Sequence, residues 1–144
     1  MFNVKNTVEP QMPKLSTVEI KAFVPARDFE LSKRFYQAIG FTLASDTDEP
    51  AYFHHGNCAF LLQRFYAVGH AENFMMHLLV ENVNDWHGQL VEQDIATRFG
   101  VQIGEPADRP WAMRDFTLTD PSGVLWRIAQ NIPRRDPLPV AARP

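Results

Sequence analysis

The sequence is poor in cysteine and has no excess of one charge, and each shortage excludes a class of protein. Cys58 is the single cysteine in 144 residues, so no disulfide can form within the chain, and we expect a reducing, cytoplasmic environment. Fourteen Lys and Arg stand against seventeen Asp and Glu, which gives a formal net charge of -3. No long run of positive charge is present to follow a phosphate backbone, so we expect no nucleic-acid partner.

Long hydrophobic runs are also missing. The longest apolar stretches, such as Leu78-Leu79-Val80, end within a few residues at His, Glu or Asn, whereas a bilayer span needs about 20 apolar residues. The Met1 end lacks the basic and then apolar pattern of a secretory signal. With 45% hydrophobic and 22% charged residues, the sequence predicts one soluble globular domain that makes no contact with a membrane.

Proline distinguishes the two ends of the chain from this domain. Residues 1–16 contain Pro10 and Pro13 among polar residues, and residues 131–144 contain four more prolines with scattered charge. Such segments favour extended arms over packed elements. We therefore predict an N-terminal arm at 1–16, a folded domain at 17–130 and a Pro-rich tail at 131–144.

The first half of the domain has the pattern of a strand, a helix and further strands. Thr17 to Val24 is rich in β-forming residues and ends at Pro25, which predicts a strand. Asp28 can cap a helix that runs to Ile39, and Gly40 follows as a C-terminal stop. Strand patterns return at 41–44, 51–55 and 59–62.

The second half repeats this order. A strand is predicted from Phe74 to Val80 and a helix from about Val83 to Gln93. The last hairpin has strands at 114–119 and 124–129 around Asp120-Pro-Ser-Gly123, the composition of a type I turn. Matching Val24 with Val80 places Asp28 opposite Asn84, both as helix caps, and Lys21 opposite His77.

Three segments of the chain resemble one known family. Residues 25–41 form an Asp-led helix that ends in Gly-Phe, residues 77–86 open the second half, and residues 110–126 combine Pro-Trp-x-x-Arg with the closing hairpin. They are similar to glyoxalase and bleomycin-resistance domains, the vicinal-oxygen-chelate superfamily, and most similar to its bleomycin-resistance branch.

This resemblance implies a fold and an assembly. The fold is α+β, with two pseudo-symmetric βαβββ modules at about 17–66 and 74–130, whose curved mixed sheets enclose one cavity. Members of the family also pair modules across subunits and often exchange an N-terminal arm. The resemblance therefore predicts a homodimer.

Metal-using members that this chain resembles place His or Glu at four inward positions. The matching positions here hold Lys21, either Leu61 or Gln63, His77 and Arg127. Only His77 is a good ligand, and the Lys and Arg cations oppose a divalent ion. The sequence therefore predicts no metal, and it contains no motif for another cofactor.

The candidate ligand contacts are aromatic, polar and cationic. Flat aromatic rings suit a planar ligand, although strand aromatics mostly fill cores. Trp111 is the exception, because it stands in a polar, Pro-flanked loop. Inward arginines favour an anionic group, unless Asp115, Glu19 or Asp120 neutralises them. We predict ligand contacts from Tyr52, Phe60, Gln63, His77, Trp111, Arg114 and Arg127.

These patterns favour a metal-free protein that binds a small aromatic or anionic molecule and has no catalytic residues. The resemblance to bleomycin-resistance proteins implies sequestration of the ligand. The alternative is a metal-dependent lyase or dioxygenase that uses His77 and ligands from other positions. A third hypothesis is a structural or regulatory module.

Overall fold

The chain forms two four-stranded mixed sheets with helices packed on one face of each. The computed structural model describes residues 12–46 and 50–134. The first module contains β1 (Phe23–Pro25), α1 (Phe29–Ala38), β2 (Thr42–Asp46), β3 (Ala51–His55) and β4 (Cys58–Gln63). A short helix, α2 (Val68–Asn73), leads into the second module. That module contains β5 (Met75–Leu79), α3 (Val83–Glu92), α4 (Ile95–Phe99), β6 (Ala107–Arg109), β7 (Met113–Thr119) and β8 (Leu125–Asn131).

The two sheets have the same topology. Their strand orders are β1-β4-β3-β2 and β5-β8-β7-β6. In each sheet the first strand pairs in parallel with the last, and the other pairs are antiparallel. The predicted α+β fold with two βαβββ-like modules is confirmed, and the two sheets do not close on each other.

Helix α1 begins and ends where its sequence indicates. Asp28 has an extended backbone, and its side chain accepts a hydrogen bond from the Leu31 N–H at 3.0 Å, which satisfies one of the free donors of the first turn. Gly40 has a φ of +117°, a conformation that glycine adopts without strain. The cap of α3 was predicted two residues too late, because Asn82, and not Asn84, accepts from the Asp85 N–H at 3.0 Å.

The first strand is much shorter than predicted. Only Phe23 to Pro25 pair with β4, and Val18 and Ile20 are 99% and 94% exposed. Strand propensity alone does not order a segment that has no neighbouring strand, since pairing and side-chain burial provide the stability. Pro25 fits in β1 because this strand lies at the edge of its sheet.

Some predicted segments lie outside the described residues, and some observed elements were not predicted. Residues 1–11 of the predicted arm and 135–144 of the predicted tail lie outside the described residues. The helices α2 and α4 and the strand β6 have no counterpart in the sequence-based prediction. Within the described ranges, no helix is both long and apolar enough to cross a bilayer.

A buried hydrogen-bonded group joins the two modules at the centre of the core. The Tyr36 hydroxyl, on α1, donates to Asp120 Oδ2 at 2.6 Å and accepts from Trp126 Nε1, on β8, at 2.9 Å. The Tyr36 ring also packs on Phe60 and Trp126, with centroids 4.7 and 5.7 Å apart. The first module is therefore held to the second by a polar contact inside an aromatic cluster.

Asp120 also organises the turn that the sequence predicts. Its Oδ1 accepts from the N–H groups of Ser122 and Val124 at 2.8 and 2.9 Å, and the Gly123 N–H donates to its carbonyl at 3.1 Å. Burial raises the pKa of the Asp120 carboxyl. Burial, and then the neighbouring Asp120, raise the pKa of Tyr36 well above its usual value. Burial therefore makes ionisation of each group less favourable than it is in water.

We expect Tyr36→Phe to lower the free energy of unfolding by about 2–4 kcal/mol, because Asp120 Oδ2 and Trp126 Nε1 both lose their partner inside the core. Urea unfolding followed by circular dichroism measures the change. The matched control is Tyr52→Phe, because the Tyr52 hydroxyl donates to Glu19 at an exposed site, and its loss should cost less than about 0.5 kcal/mol. Equal effects of the two substitutions would show that the Tyr36 hydroxyl does not join the modules.

Candidate functional site

Each sheet has one covered face and one open face. Successive side chains of a strand point to opposite faces, and the covered faces carry buried residues such as Phe53 and Phe60 in the first sheet and Phe116 and Ile128 in the second. We call the uncovered sides open face 1 and open face 2. Open face 1 carries Phe23, Tyr52, His54, Leu61 and Gln63, and open face 2 carries Met75, His77, Leu79, Arg109, Asp115, Leu125 and Arg127.

Large apolar side chains remain accessible on both open faces. Phe23 is 51% exposed on open face 1, and Met75 and Leu79 are 57% and 49% exposed on open face 2. Accessible apolar groups clustered with polar ones are typical of surfaces that receive a ligand or a partner. The open faces are therefore the candidate functional surfaces.

Charges on open face 1 are paired with each other. Lys21 Nζ donates to Glu19 Oε2 at 2.9 Å and lies 5.1 Å from the centroid of the Tyr52 ring. The Tyr52 hydroxyl donates to Glu19 Oε1 at 3.3 Å. The hydrogen bond from Lys21 lowers the pKa of the Glu19 carboxyl, which keeps the pair ionised and its net charge at zero.

Open face 2 carries two arginines that share one carboxylate. Asp115 is fully buried, and its Oδ1 accepts from Arg109 Nε at 2.9 Å and from Arg127 Nη1 at 3.0 Å. Asp115 Oδ2 has no hydrogen-bond partner. His77 lies beside Arg127 on the neighbouring strand, in register with it. This Arg109–Asp115–Arg127 cluster has one more positive charge than negative.

Four of the seven predicted ligand residues lie on the open faces. Tyr52 and Gln63 are on open face 1, while His77 and Arg127 are on open face 2. Within the ranges that the structure describes, no hydrogen bond or ion pair links residues of one open face to residues of the other. The structure therefore groups the predicted residues into two separate surfaces.

Two predicted ligand residues lie elsewhere. Phe60 is 1% exposed and stacks on Phe53 in the core, with ring centroids 5.4 Å apart. Arg114 lies on the covered side of its sheet, where it donates to Asn84 Oδ1 at 2.9 Å and to Asp108 Oδ1 at 3.1 Å. Arg114 and Arg127 lie on opposite faces of the sheet, because their strand positions have opposite parity in the register of β7 and β8.

Trp111 lies in the turn between β6 and β7 and is 58% exposed. The next residue, Ala112, has a φ of +60°, which is uncommon for a residue other than glycine. The indole is therefore presented at the tip of a hairpin and lies outside the core. A contact with a ligand stays a prediction.

The internal symmetry matches His77 with Phe23, and the predicted match with Lys21 is wrong. Phe23 pairs with Leu61, and His77 pairs with Arg127. Leu61 follows Phe60, and Arg127 follows Trp126, and both of these aromatic side chains are buried in the core. Leu61 and Arg127 are therefore the equivalent positions. Lys21 lies two residues before β1 and approaches open face 1 only through its long side chain.

The residues at the predicted metal positions do not fit a metal. Lys21 is paired with Glu19, and Phe23, which takes its place by symmetry, is apolar. Leu61 is apolar and its alternative Gln63 is a neutral amide, while the Arg127 guanidinium is already bonded to Asp115. His77 is the one good donor among them. In residues 12–46 and 50–134, no three His, Cys, Asp or Glu side chains converge as a metal site. The donors on these faces therefore do not form the ligand set that a divalent cation prefers.

A separate cleft of about 330 Å³ lies on the helix side of the molecule. The end of α1, the tip of β3 and the outer side of α3 form it, and it is lined by Ile39, Gly40, His55, Asp85, Trp86, Gln89 and Leu90. None of the predicted ligand residues lines this cleft. The cleft is open to solvent, and Asp85 is the only charged carboxylate or cation among the described residues that line it. The open faces are therefore the better candidate for the functional site.

Sequence reasoning did not identify Arg109 as a site residue and treated Asp115 only as a possible counter-ion. A signal was present, because Asp115 and Thr117 alternate with Phe116 and Leu118, which places the polar pair on the face opposite the apolar one. Arg109 was not identified because β6 is three residues long and starts after an irregular segment.

Comparison with protein families finds one matching family. Residues 17–128 match the model of the Glyoxalase/Bleomycin resistance protein/Dioxygenase superfamily. Among curated proteins, none matches the chain.

Solved structures with this fold include proteins that bind antibiotics. A bleomycin-binding protein complexed with bleomycin has a TM-score of 0.67 and 22% identity, over 80% of this chain and 99% of that one. The bleomycin-binding protein of Streptomyces verticillus, complexed with copper(II)-bleomycin, has a TM-score of 0.64 and 18% identity, over 83% and 100%. TnmS3, an antibiotic binding protein from Streptomyces sp. CB03234, has a TM-score of 0.60 and 20% identity, over 80% and 99%. These similarities establish the fold.

We expect no stoichiometric divalent ion in the purified protein after incubation with zinc, nickel or manganese and then dialysis. The reason is that no second histidine lies beside His77 among the described residues of open face 2. Elemental analysis measures the metal content. His77→Ala is the control for weak surface binding by histidine. About one ion per chain, lost in His77→Ala, would contradict this prediction and support the metal-dependent alternative.

Proposed function

Because the chain belongs to the Glyoxalase/Bleomycin resistance protein/Dioxygenase superfamily, we propose that it binds a small organic molecule and sequesters it without a chemical step. The observation that carries this proposal is open face 2, where a charged cluster lies among accessible apolar side chains. Such a surface offers orientation through its polar groups and affinity through its apolar ones. The antibiotic-binding proteins that share the fold support the same role.

The residues of the open faces favour binding over catalysis. A nucleophile needs a base within hydrogen-bond reach, and a metal mechanism needs several donors at one point. Cys58 is exposed and has no hydrogen bond to a base in the described part of the chain. A lyase or dioxygenase of this family would need a metal, which His77 and Arg127 together do not favour. We also propose a cytoplasmic location, in agreement with a free cysteine.

We propose that a second copy of the chain closes the ligand cavity. Met12, Leu15, Val18 and Ile20 are all at least 84% exposed and precede β1 without regular structure. Phe23 on open face 1 continues this apolar series. A partner subunit would bury these side chains, and its own surface would lie opposite each open face and close the cavity.

We expect a dimer at tens of micromolar in sedimentation velocity, and a monomer for the double variant Val18→Glu and Ile20→Glu, because a charge at each position opposes burial in an interface. Val91→Glu is the matched control, since Val91 is 58% exposed on α3 and far in sequence from the apolar segment. A monomeric native protein would contradict the proposed assembly, and a dimer that survives the double substitution would place the interface elsewhere.

We expect a ligand found by thermal-shift screening of aromatic and anionic compounds to bind Trp111→Ala about 1–3 kcal/mol more weakly, as for truncation of an aromatic anchor. The folded state itself should change little, because Trp111 is exposed. Isothermal titration calorimetry measures the affinity. Gln89→Ala, in the cleft on the helix side, is the control, and a ligand lost only in Gln89→Ala would place the binding site in that cleft.

A further inference from the structure

We propose that the ligand carries an anionic group, a carboxylate, sulfonate or phosphate, which the Arg109–Asp115–Arg127 cluster binds on open face 2. This inference rests on the proposed binding function and adds the chemical class of the ligand. The observation that carries it is the sharing of one carboxylate oxygen by two guanidinium groups. A pair of one arginine with one carboxylate would have no net charge, whereas this cluster keeps one positive charge at an accessible site.

The two arginines have more N–H donors than their hydrogen bonds to Asp115 use. Each guanidinium has five N–H donors in a fixed plane, and the hydrogen bonds to Asp115 use one donor of each, Nε of Arg109 and Nη1 of Arg127. The described residues supply no other hydrogen-bond acceptor to either arginine. Their side chains are 33% and 27% exposed, so the remaining N–H groups can reach a bound molecule.

Asp115 acts as a positioning residue in this arrangement. Its side chain is completely buried, and it holds both cations on the same side of β7 through a single oxygen. The two arginines would otherwise repel each other, and the carboxylate neutralises only one of them. The positive charge that remains favours binding of an anion on the open side of the cluster.

The surroundings on open face 2 agree with an organic anion. Among the strand residues that form this face, Asp115 is the only acidic one, so nothing on the face repels a second anion. His77 and Thr117 flank Arg127 on the neighbouring strands and add hydrogen-bonding groups. Met75 and Leu79, one on each side of His77, offer apolar contact for the body of the molecule.

The test uses two probes that differ only in the anionic group. Anilinonaphthalene sulfonate carries a sulfonate on an aromatic ring system, and phenylnaphthylamine has the same ring system without it. Both become fluorescent when bound in an apolar environment, so titration gives a dissociation constant for each. The native protein is compared with Arg127→Met and Arg109→Met, which keep an unbranched apolar side chain and remove the charge. Arg114→Met, an arginine of the covered side, is the matched control.

We expect the folded protein to bind the sulfonate at least ten-fold more tightly than the neutral probe. Arg127→Met and Arg109→Met should each weaken the sulfonate by about ten- to hundred-fold, the range for a hydrogen bond to a charged group. The neutral probe should bind all variants equally, and Arg114→Met should leave both affinities unchanged. Native near-ultraviolet circular dichroism at the titration temperature shows that each variant is folded, and some loss of stability is expected because Asp115 loses one partner.

Other results separate this inference from the proposed function. Equal affinity for the two probes, or a sulfonate affinity that survives Arg127→Met and Arg109→Met, would overturn the anionic class and leave small-molecule binding intact. Failure of the folded protein to bind either probe would overturn both. An effect of Arg114→Met as large as that of Arg127→Met would show that the response reflects net charge and not the cluster.

Discussion

The hydrogen bonds of the Tyr36 hydroxyl to Asp120 and Trp126 determine how the two modules meet. They join helix α1 of the first module to the last hairpin of the second, inside a cluster of aromatic rings. A buried carboxylate is costly unless its oxygens are hydrogen-bonded, and here both Asp120 oxygens have partners. The observed placement of the modules satisfies all these groups. That placement covers one face of each sheet and leaves the other open.

The open faces differ in charge although the modules share a topology. Open face 1 pairs Lys21 with Glu19 and presents Tyr52 beside them. Open face 2 holds two arginines against one carboxylate. If a second copy of the chain brings the two surfaces together, as we propose, a ligand between them would contact the Tyr52 ring on one side and the two arginines on the other. The same fold therefore gives one surface with an ion pair beside an aromatic ring and one with an excess of positive charge.

The positions equivalent by symmetry illustrate why metal chemistry does not follow from the fold. Phe23 and Leu61 in the first module correspond to His77 and Arg127 in the second. An apolar pair and a pair with a permanent cation do not make a chelating set. Family membership fixes the backbone that could present four ligands, whereas the side chains at those positions decide the chemistry.

Local patterns in the sequence were sufficient for most elements of the fold. Asp28 and Gly40 delimit α1 because capping and a left-handed stop depend on neighbouring residues alone, and the Asp120 to Gly123 turn is local for the same reason. A strand was predicted from Thr17, but the observed strand is only Phe23–Pro25. A strand forms only where another strand offers hydrogen bonds, and the position of that neighbour is not encoded in the local sequence. Helices α2 and α4 lack strong periodicity over their short lengths.

The sequence by itself determined the α+β pattern, the two repeated halves and the residue types available to a site. Only the tertiary structure decided which of these residues share a surface. Strand register sent Arg127 to the open face and Arg114 to the covered side, buried Phe60, and brought Arg109 onto Asp115. The physical reason is that a shift of one residue reverses the face of every side chain, and register depends on contacts between residues distant in the chain.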